Sequence, residues 1–240
     1  MRVTIISLFF LIPYFTFCQH NSSFEFVASA DYSFRDINYQ QSAPFIRQLL
    51  KNENGDQAAF RSRFGFNYNK RIASSLVLKS GLQLASIGYK SQYPRRMTWG
   101  EKIDEYYFYP VNPDKLKGYA ASYHHYFLEV PLALRYELPK NFGKFQAYVE
   151  GGIAASYYLG SFYQETRNGK KELYQENFSA INKFQMKGIL GVGLNYNLNE
   201  KIQLFFQPTF RYNFTPMLNS VMNEKAFSVG FDLGIRMKLN

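Results

Sequence analysis

From residue 24 almost to its end, the chain alternates apolar and polar residues with a period of two. In "FEFVASADYSF" at 24–34, Phe24, Phe26, Ala28, Ala30, Tyr32 and Phe34 alternate with Glu25, Val27, Ser29, Asp31 and Ser33. Successive side chains of a strand point to opposite faces, so the pattern predicts a strand with one apolar and one polar face. It returns over about 58–69, 74–89, 123–138, 145–160, 183–197 and 202–214, and from Phe227 to Leu239. That makes eight predicted strands. The connections alternate as well. Those at 69–73, 139–144 and 197–201 are tight, whereas those at about 35–57, 90–122 and 161–182 are long, with a shorter one at 215–225. Short turns at one end, long loops at the other and an even strand count are the layout of a membrane-spanning barrel. Most of the strands reach the ~9–11 residues that cross a bilayer at a tilt. The expected fold is all-β: an eight-stranded antiparallel up-and-down transmembrane β-barrel with short periplasmic turns and long extracellular loops.

Alternation alone does not say which row faces inward, because a soluble lipocalin-type barrel alternates too. Three features favour the membrane barrel. The glycines Gly65, Gly81, Gly152, Gly191, Gly193, Gly230 and Gly234 fall on the polar row, where a narrow interior is crowded. The apolar row is bulky, and aromatic at the strand ends. The polar row carries both signs, which a barrel interior must pair. The expected interior charge network is Glu25, Asp31, Arg61, Arg63, Lys79, Glu129, Arg135, Glu150, Lys187, Arg211, Asp232 and Arg236. An eight-stranded interior holds little more than its own side chains, so a polar plug is expected rather than a diffusion pore. Tyr68, Tyr136 and Tyr196 each precede a tight turn, as a periplasmic aromatic girdle would. In "YHHYFLEVPLALRYEL" at 123–138, Leu128, Val130, Leu132 and Leu134 are expected to face lipid, with Glu129 and Arg135 inside. Pro131 lacks an N–H for the ladder and predicts a bulge.

The first residues, "MRVTIISLFFLIPYFTFCQ", read as an export signal: one arginine, an apolar stretch too short and proline-broken for a membrane helix, then small residues. Cleavage before Gln19 would leave residues 19–240 as one barrel domain and remove Cys18, the single cysteine. Disulfide scaffolds and thiolate metal sites are then excluded. The formal charge of +10 calls for anionic partners. Export turns that expectation from nucleic acid to lipid A and acidic surface glycans.

The stretch "YFLEVPLALRYEL" at 126–138 resembles the "YLEIPLLLKY" strand of the Bacteroidetes-type outer-membrane β-barrel domain family, which includes the PorT-like outer-membrane proteins. "GLQLASIGYK" at 81–90, "AYVEGGIAASYYLG" at 147–160, "GILGVGLNYNL" at 188–198 and the terminal "FDLGIRMKL" are similar to that family in order and spacing. The resemblance covers most of residues 20–240. It implies an eight-stranded outer-membrane barrel and, for the PorT members, a part in a secretion system that exports surface proteins. The final Asn240 departs from the aromatic or apolar end common in such barrels.

Chemistry is sparse. His124 and His125 are neighbours in a strand, so they point to opposite faces and cannot converge on one metal ion. Ser122, His125 and Glu105 have no spacing that favours a catalytic constellation. "GILGVG" lacks the G-x-G-x-x-G spacing of a nucleotide loop. No cofactor or metal is expected. The loop at 90–122 is the candidate partner-binding surface, through Arg95, Arg96, Trp99, Tyr106, Tyr107, Phe108 and Tyr109. Aromatics and arginines are the usual anchors of interfaces. The expected function is that of a non-enzymatic outer-membrane protein, a PorT-like accessory to protein secretion or a surface-binding protein. The alternatives are a small outer-membrane channel and a soluble lipocalin-like ligand-binding barrel. Expected partners are outer-membrane lipid including lipid A, secretion-system components or surface glycans, and no nucleic acid.

Overall fold

The computed structural model of the chain describes residues 22–38, 56–91, 120–167, 170–176, 181–217 and 223–239. They form β1 (Ser22–Asn38), β2 (Asp56–Ala73), β3 (Leu76–Ile87), β4 (Tyr89–Ser91), β5 (Ala120–Phe142), β6 (Phe145–Arg167), β7 (Lys170–Glu176), β8 (Phe184–Asn197), β9 (Ile202–Asn213) and β10 (Asn223–Leu239). All pairings are antiparallel, and β1 closes on β10 from Ser22↔Leu239 to Asn38↔Asn223. The ring runs β1–β2–β3–β5–β6–β8–β9–β10, eight strands. Beyond Gly88, β4 carries on the course of β3 between β2 and β5. Closure leaves the ring no unpaired edge, the condition for strands to sit in lipid.

The alternation sorts the two faces in an inverted sense. Along β9, Gln203, Phe205, Gln207, Thr209 and Arg211 are buried, while Leu204, Phe206 and Phe210 are exposed. The same holds around the ring: Phe64, Phe66, Leu190 and Val192 face outward and are half or more exposed, whereas Arg63 and Arg135 are among the largest fully buried side chains. A continuous apolar exterior around a charged interior is stable only with hydrocarbon outside. The shortest ring strands, β3 and β9, have 12 residues, enough for the ~9–11 that a tilted span requires.

The strands overrun the expected ends. The turn expected at 69–73 is strand and the chain turns instead at 74–75, while the other two turns contract to 143–144 and 198–201. At the last of these Asn199 Oδ1 accepts from the backbone N–H of Lys201 (2.9 Å) and of Ile202 (2.7 Å), which closes the turn. The expected loop at 161–182 is largely a hairpin: β6 runs to Arg167 and returns as β7, paired from Ser161↔Glu176 to Arg167↔Lys170. Its sequence is polar on both rows, as suits strands with water on both sides beyond the bilayer, so no apolar alternation marks it.

The bulge expected at Pro131 does not occur. Pairing of β3 with β5 steps from Ser80↔Leu132 to Gln83↔Glu129 in unchanged register, omitting Val130 and Pro131. Pro208 does the same to β9, whose pairing with β8 steps from Gly191↔Thr209 to Leu194↔Phe206. Each proline, having no N–H to give, opens one gap in the ladder on one side without shifting it. The register shifts lie elsewhere, at Arg71/Ala73, Tyr126/Phe127 and Glu137/Asn141.

Glycine is required where strands or rings come close. A Cβ on Gly88 would lie 1.9 Å from the Tyr123 carbonyl oxygen, and one on Gly193 would lie 2.2 Å from Cζ of the buried Tyr148. Two outcomes are expected. Unboiled protein migrates ahead of boiled protein in an SDS gel, and identical mobility would contradict a closed barrel. Gly193→Val displaces Tyr148 and costs roughly 1–3 kcal/mol, read as a lower urea midpoint of the refolded barrel.

Candidate functional site

The lumen is the place where this chain concentrates polar chemistry, and it is stacked in layers along the barrel axis. Nearest the turns, Arg71 pairs with the buried Glu137. Above it lies a first cluster of Glu25, Lys79, Arg135, Glu150 and Arg236. One carboxylate oxygen, Glu25 Oε2, accepts from both Nη atoms of Arg135 (3.2 Å each) and from Nε and Nη2 of Arg236 (3.1 and 2.9 Å). Arg135 also reaches Glu150 Oε2 through Nε (3.0 Å) and Nη2 (2.7 Å), and Lys79 donates to Glu150 Oε1. Neutral groups complete the shell. Asn67 donates to Glu25 Oε1 (3.0 Å), Tyr148 donates to Gln207 (2.8 Å), and Arg135 stacks 4.4 Å above the Tyr148 ring.

The second cluster is an alternating chain: Asp232, Arg211, Asp31, Arg63, Glu129, Lys187. Arg211 Nη2 holds both oxygens of Asp232 at 2.7 Å and its Nη1 reaches Asp31 at 3.0 Å. Arg63 lies 3.3 Å from Asp31 and 3.1 Å from Glu129 at ion-pair distance without hydrogen-bond angles, and Lys187 pairs with Glu129. The first cluster draws on β1, β3, β5, β6 and β10 and the second on β1, β2, β5, β8, β9 and β10. Together they cross-link every strand of the ring.

Arg61 is buried but belongs to neither cluster. Among the described residues it has no carboxylate partner; it donates to the carbonyls of Phe60 (2.7 Å) and Tyr123 (2.6 Å) and to Ser122 Oγ (3.3 Å). Its place beside the Gly88 break explains this, because the guanidinium supplies donors where the β3–β5 ladder is interrupted.

Above the second cluster apolar side chains enter the lumen beside the buried Ser33, Gln185 and Asn213, of which Asn213 donates to Gln185 (2.8 Å). Ile87, Tyr89, Phe127, Ile181, Met217 and Ala226 form a buried plug, with Tyr123 and Tyr158 packed against it. Ile181 and Met217 come from the connections after β7 and β9, tied by a bond from the Asn182 N–H to the Met217 carbonyl (2.9 Å). Lys187 Nζ lies 5.8 Å from the Phe127 ring, so the plug sits directly on the charged layer.

The histidines part as strand geometry demands. His124 Nε2 lies 3.2 Å from Ser122 Oγ, while the buried His125 bonds Ser161 through Nδ1 at 2.7 Å. Ser161 also meets the Tyr158 hydroxyl (2.6 Å). Tyr68, Tyr136 and Tyr196 stand on the outer face at the turn end, Tyr68 against Phe24 (5.6 Å) and Tyr196 against Phe145 (5.0 Å). Arg95, Arg96, Trp99, Glu105, Tyr106, Tyr107, Phe108 and Tyr109 lie outside the described residues. Among the described residues no group of three His, Cys, Asp or Glu side chains could hold a metal.

Sequence reasoning missed Tyr148, Phe205 and the plug. Their parity within each strand marks Tyr148 and Phe205 as inward, and the glycines opposite them, Gly193 and Gly234, were the available signal. Glu25→Ala leaves Arg236 with Gln203 alone and strips Arg135 of one of its two acids. It is expected to cost roughly 3–5 kcal/mol, measured as a shift of the urea midpoint of barrel refolded in detergent. A midpoint equal to wild type would show that the cluster does not hold the strands together.

The chain was compared with known proteins. No curated protein matches it. Among solved structures, Neisserial surface protein A is 12% identical, with 91% of this chain and 99% of that chain covered and a TM-score of 0.43. OprG from Pseudomonas aeruginosa is 11% identical, covering 92% and 96%, with a TM-score of 0.44. A major outer membrane protein from Thermus thermophilus is 10% identical, covering 91% and 99%, with a TM-score of 0.45. The model of the outer membrane protein beta-barrel domain matches residues 37–219, most of the chain and six of the eight ring strands, from β2 to β9. This protein therefore belongs to the outer membrane protein beta-barrel domain family.

Proposed function

We propose that this outer-membrane barrel is a non-enzymatic, non-conducting protein that acts through its extracellular loops, as an accessory to protein secretion of the PorT-like kind or as a surface-binding protein. The observation that carries this reading is the lumen. Two ion-paired layers fill it, and a buried apolar plug seals it toward the loops. A conducting path would have to break pairs that bridge the barrel and displace Phe127 and Met217, which are 0% and 1% exposed. What remains for contact is the loop end, where β5 and β6 pair beyond the bilayer as far as Ala120↔Thr166. The segment between β4 and β5 contributes Arg95, Arg96, Trp99 and the "EYYFYP" run to that end.

The serine–histidine pairs do not support hydrolysis. His125 and Ser161 are buried at 4% and 1% exposure, closed to a substrate. Ser122 is already bonded by Arg61, and among the described residues no carboxylate bonds His124 to orient it. Export by residues 1–18, a turn-side girdle of Tyr68, Tyr136 and Tyr196, and contact with lipid A or surface glycans belong to the same reading.

Purified protein in planar bilayers is expected to give no stepwise current, and reproducible steps would replace this reading with a channel. Deleting the gene is expected to reduce surface-protein export or to remove a co-purifying partner. Unchanged export together with an empty pull-down would end the accessory role.

A further inference from the structure

Between the first charge cluster and the turns, the lumen widens into a polar cavity of about 590 Å³. Its volume is in the range of small-ligand sites. Arg71, Arg135, Arg236 and Lys238 contribute to its wall, against the single carboxylate of Glu137. The layer above has no acid to spare, since Arg135 and Arg236 share one oxygen of Glu25. Taken together, Arg71, Lys79, Arg135, Arg236 and Lys238 face Glu25, Glu137 and Glu150, five cations to three carboxylates. Lys238 is exposed and has no carboxylate partner among the described residues. Lys144, exposed in a turn, adds positive potential beside the mouth, while Lys201 stands next to the exposed Glu200.

One buried group adds a second requirement. Asn69 is 2% exposed and lines the cavity, and its Oδ1 has no hydrogen-bond partner although its Nδ2 is committed to Ser23 and Glu25. A buried acceptor left unpaired is costly, so a good ligand brings an N–H or O–H to it. A carboxylate with an amide N–H close by meets both requirements. Sulfate, which carries no proton at neutral pH, meets only the first.

We propose that this vestibule binds a carboxylate-bearing peptide segment from the periplasm. Lys238 and the guanidiniums of Arg71 and Arg236 would take the carboxylate, and Asn69 Oδ1 would accept from the peptide N–H. The site lies at the opposite end of the barrel from the loops and does not depend on what the loops bind.

The test uses the full-length barrel in detergent micelles, with N-acetylated, C-amidated tri-glutamate, tri-glutamine and tri-lysine as calorimetric probes, so that only the side chains carry charge. Tri-glutamate is expected to bind one per barrel, more weakly as salt is raised, and tri-lysine not at all. Lys238→Gln is expected to weaken tri-glutamate about fivefold. Lys90→Gln, at the loop end, should leave the affinity unchanged. Asn69→Leu should reduce the preference for tri-glutamate over inorganic sulfate; gel mobility before boiling confirms that each variant is folded. Tri-glutamine binding as well as tri-glutamate, equal effects of the two lysine variants, or no heat with any peptide would overturn the proposal. So would inorganic sulfate binding as tightly as tri-glutamate. Attaching the three glutamates to the C-terminus of a folded carrier separates the sources. Retained affinity assigns the site to a partner protein's tail, and lost affinity to free peptide.

Discussion

Glu25 Oε2, gripped by Arg135 and Arg236, shows the constraint on which the rest of the barrel depends. With lipid outside, the apolar row is already satisfied and the hydrophobic effect does little to hold the inner faces together. The side chains that meet across the lumen are charged, and removed from water they are tolerable only with partners from other strands. The pairing is therefore transverse. Arg135 of β5 meets Glu25 of β1 and Glu150 of β6, and Arg211 of β9 meets Asp31 of β1 and Asp232 of β10. Register follows from the same demand. A slip of one residue would turn each paired charge toward lipid, so the ring has one acceptable alignment.

That logic explains what was legible in the sequence. Period-2 alternation identifies strands wherever one face meets lipid and the other the lumen, and the inward charges Glu25, Asp31, Glu129, Arg135 and Asp232 could be read from parity alone. Above the bilayer both faces of a strand meet water. The signal fades there, which is why the β6–β7 hairpin looked like loop. Parity also says nothing of reach. Arg61 sits on the inner row like Arg63, yet its guanidinium serves the break at Gly88 rather than a carboxylate. Pro131 shows a further limit. Both a bulge and a gap accommodate a missing N–H, and the choice depends on whether the neighbouring strand can keep register across the gap, which β3 does.

The plug was illegible for another reason. Phe127 lies on an inward position and reads as an exception to a polar row, and its partners Ile181 and Met217 come from connections that carry no alternation. Their burial becomes intelligible only once the segments 181–183 and 214–217, bonded to each other, are seen to reach into the lumen. Tyr148 and Phe205 are similar exceptions lower down. Each ring fills the space opposite a glycine and lies beneath a guanidinium, Arg135 at 4.4 Å and Arg236 at 5.6 Å. An aromatic face beside a buried cation adds favourable electrostatics without using a hydrogen-bond acceptor.

The layering sets the two mouths apart. Toward the loops the second cluster pairs three acids with three cations, and beyond it Arg61, bound to carbonyls and Ser122, borders the apolar plug. Toward the turns the charged interior ends unmatched, in cations that outnumber acids and a buried amide oxygen without a donor. A folded protein leaves such groups unpaired at a cost, which falls on Asn69 at the turn-side mouth and on Arg61, Arg63 and Asn195 elsewhere in the lumen. The barrel wall isolates one mouth from the other, so occupancy of the vestibule can be sensed at the loops only if the transverse pairs move together. Arg135 and Arg236 are the residues that would couple them, because they line the vestibule and anchor the first cluster at once.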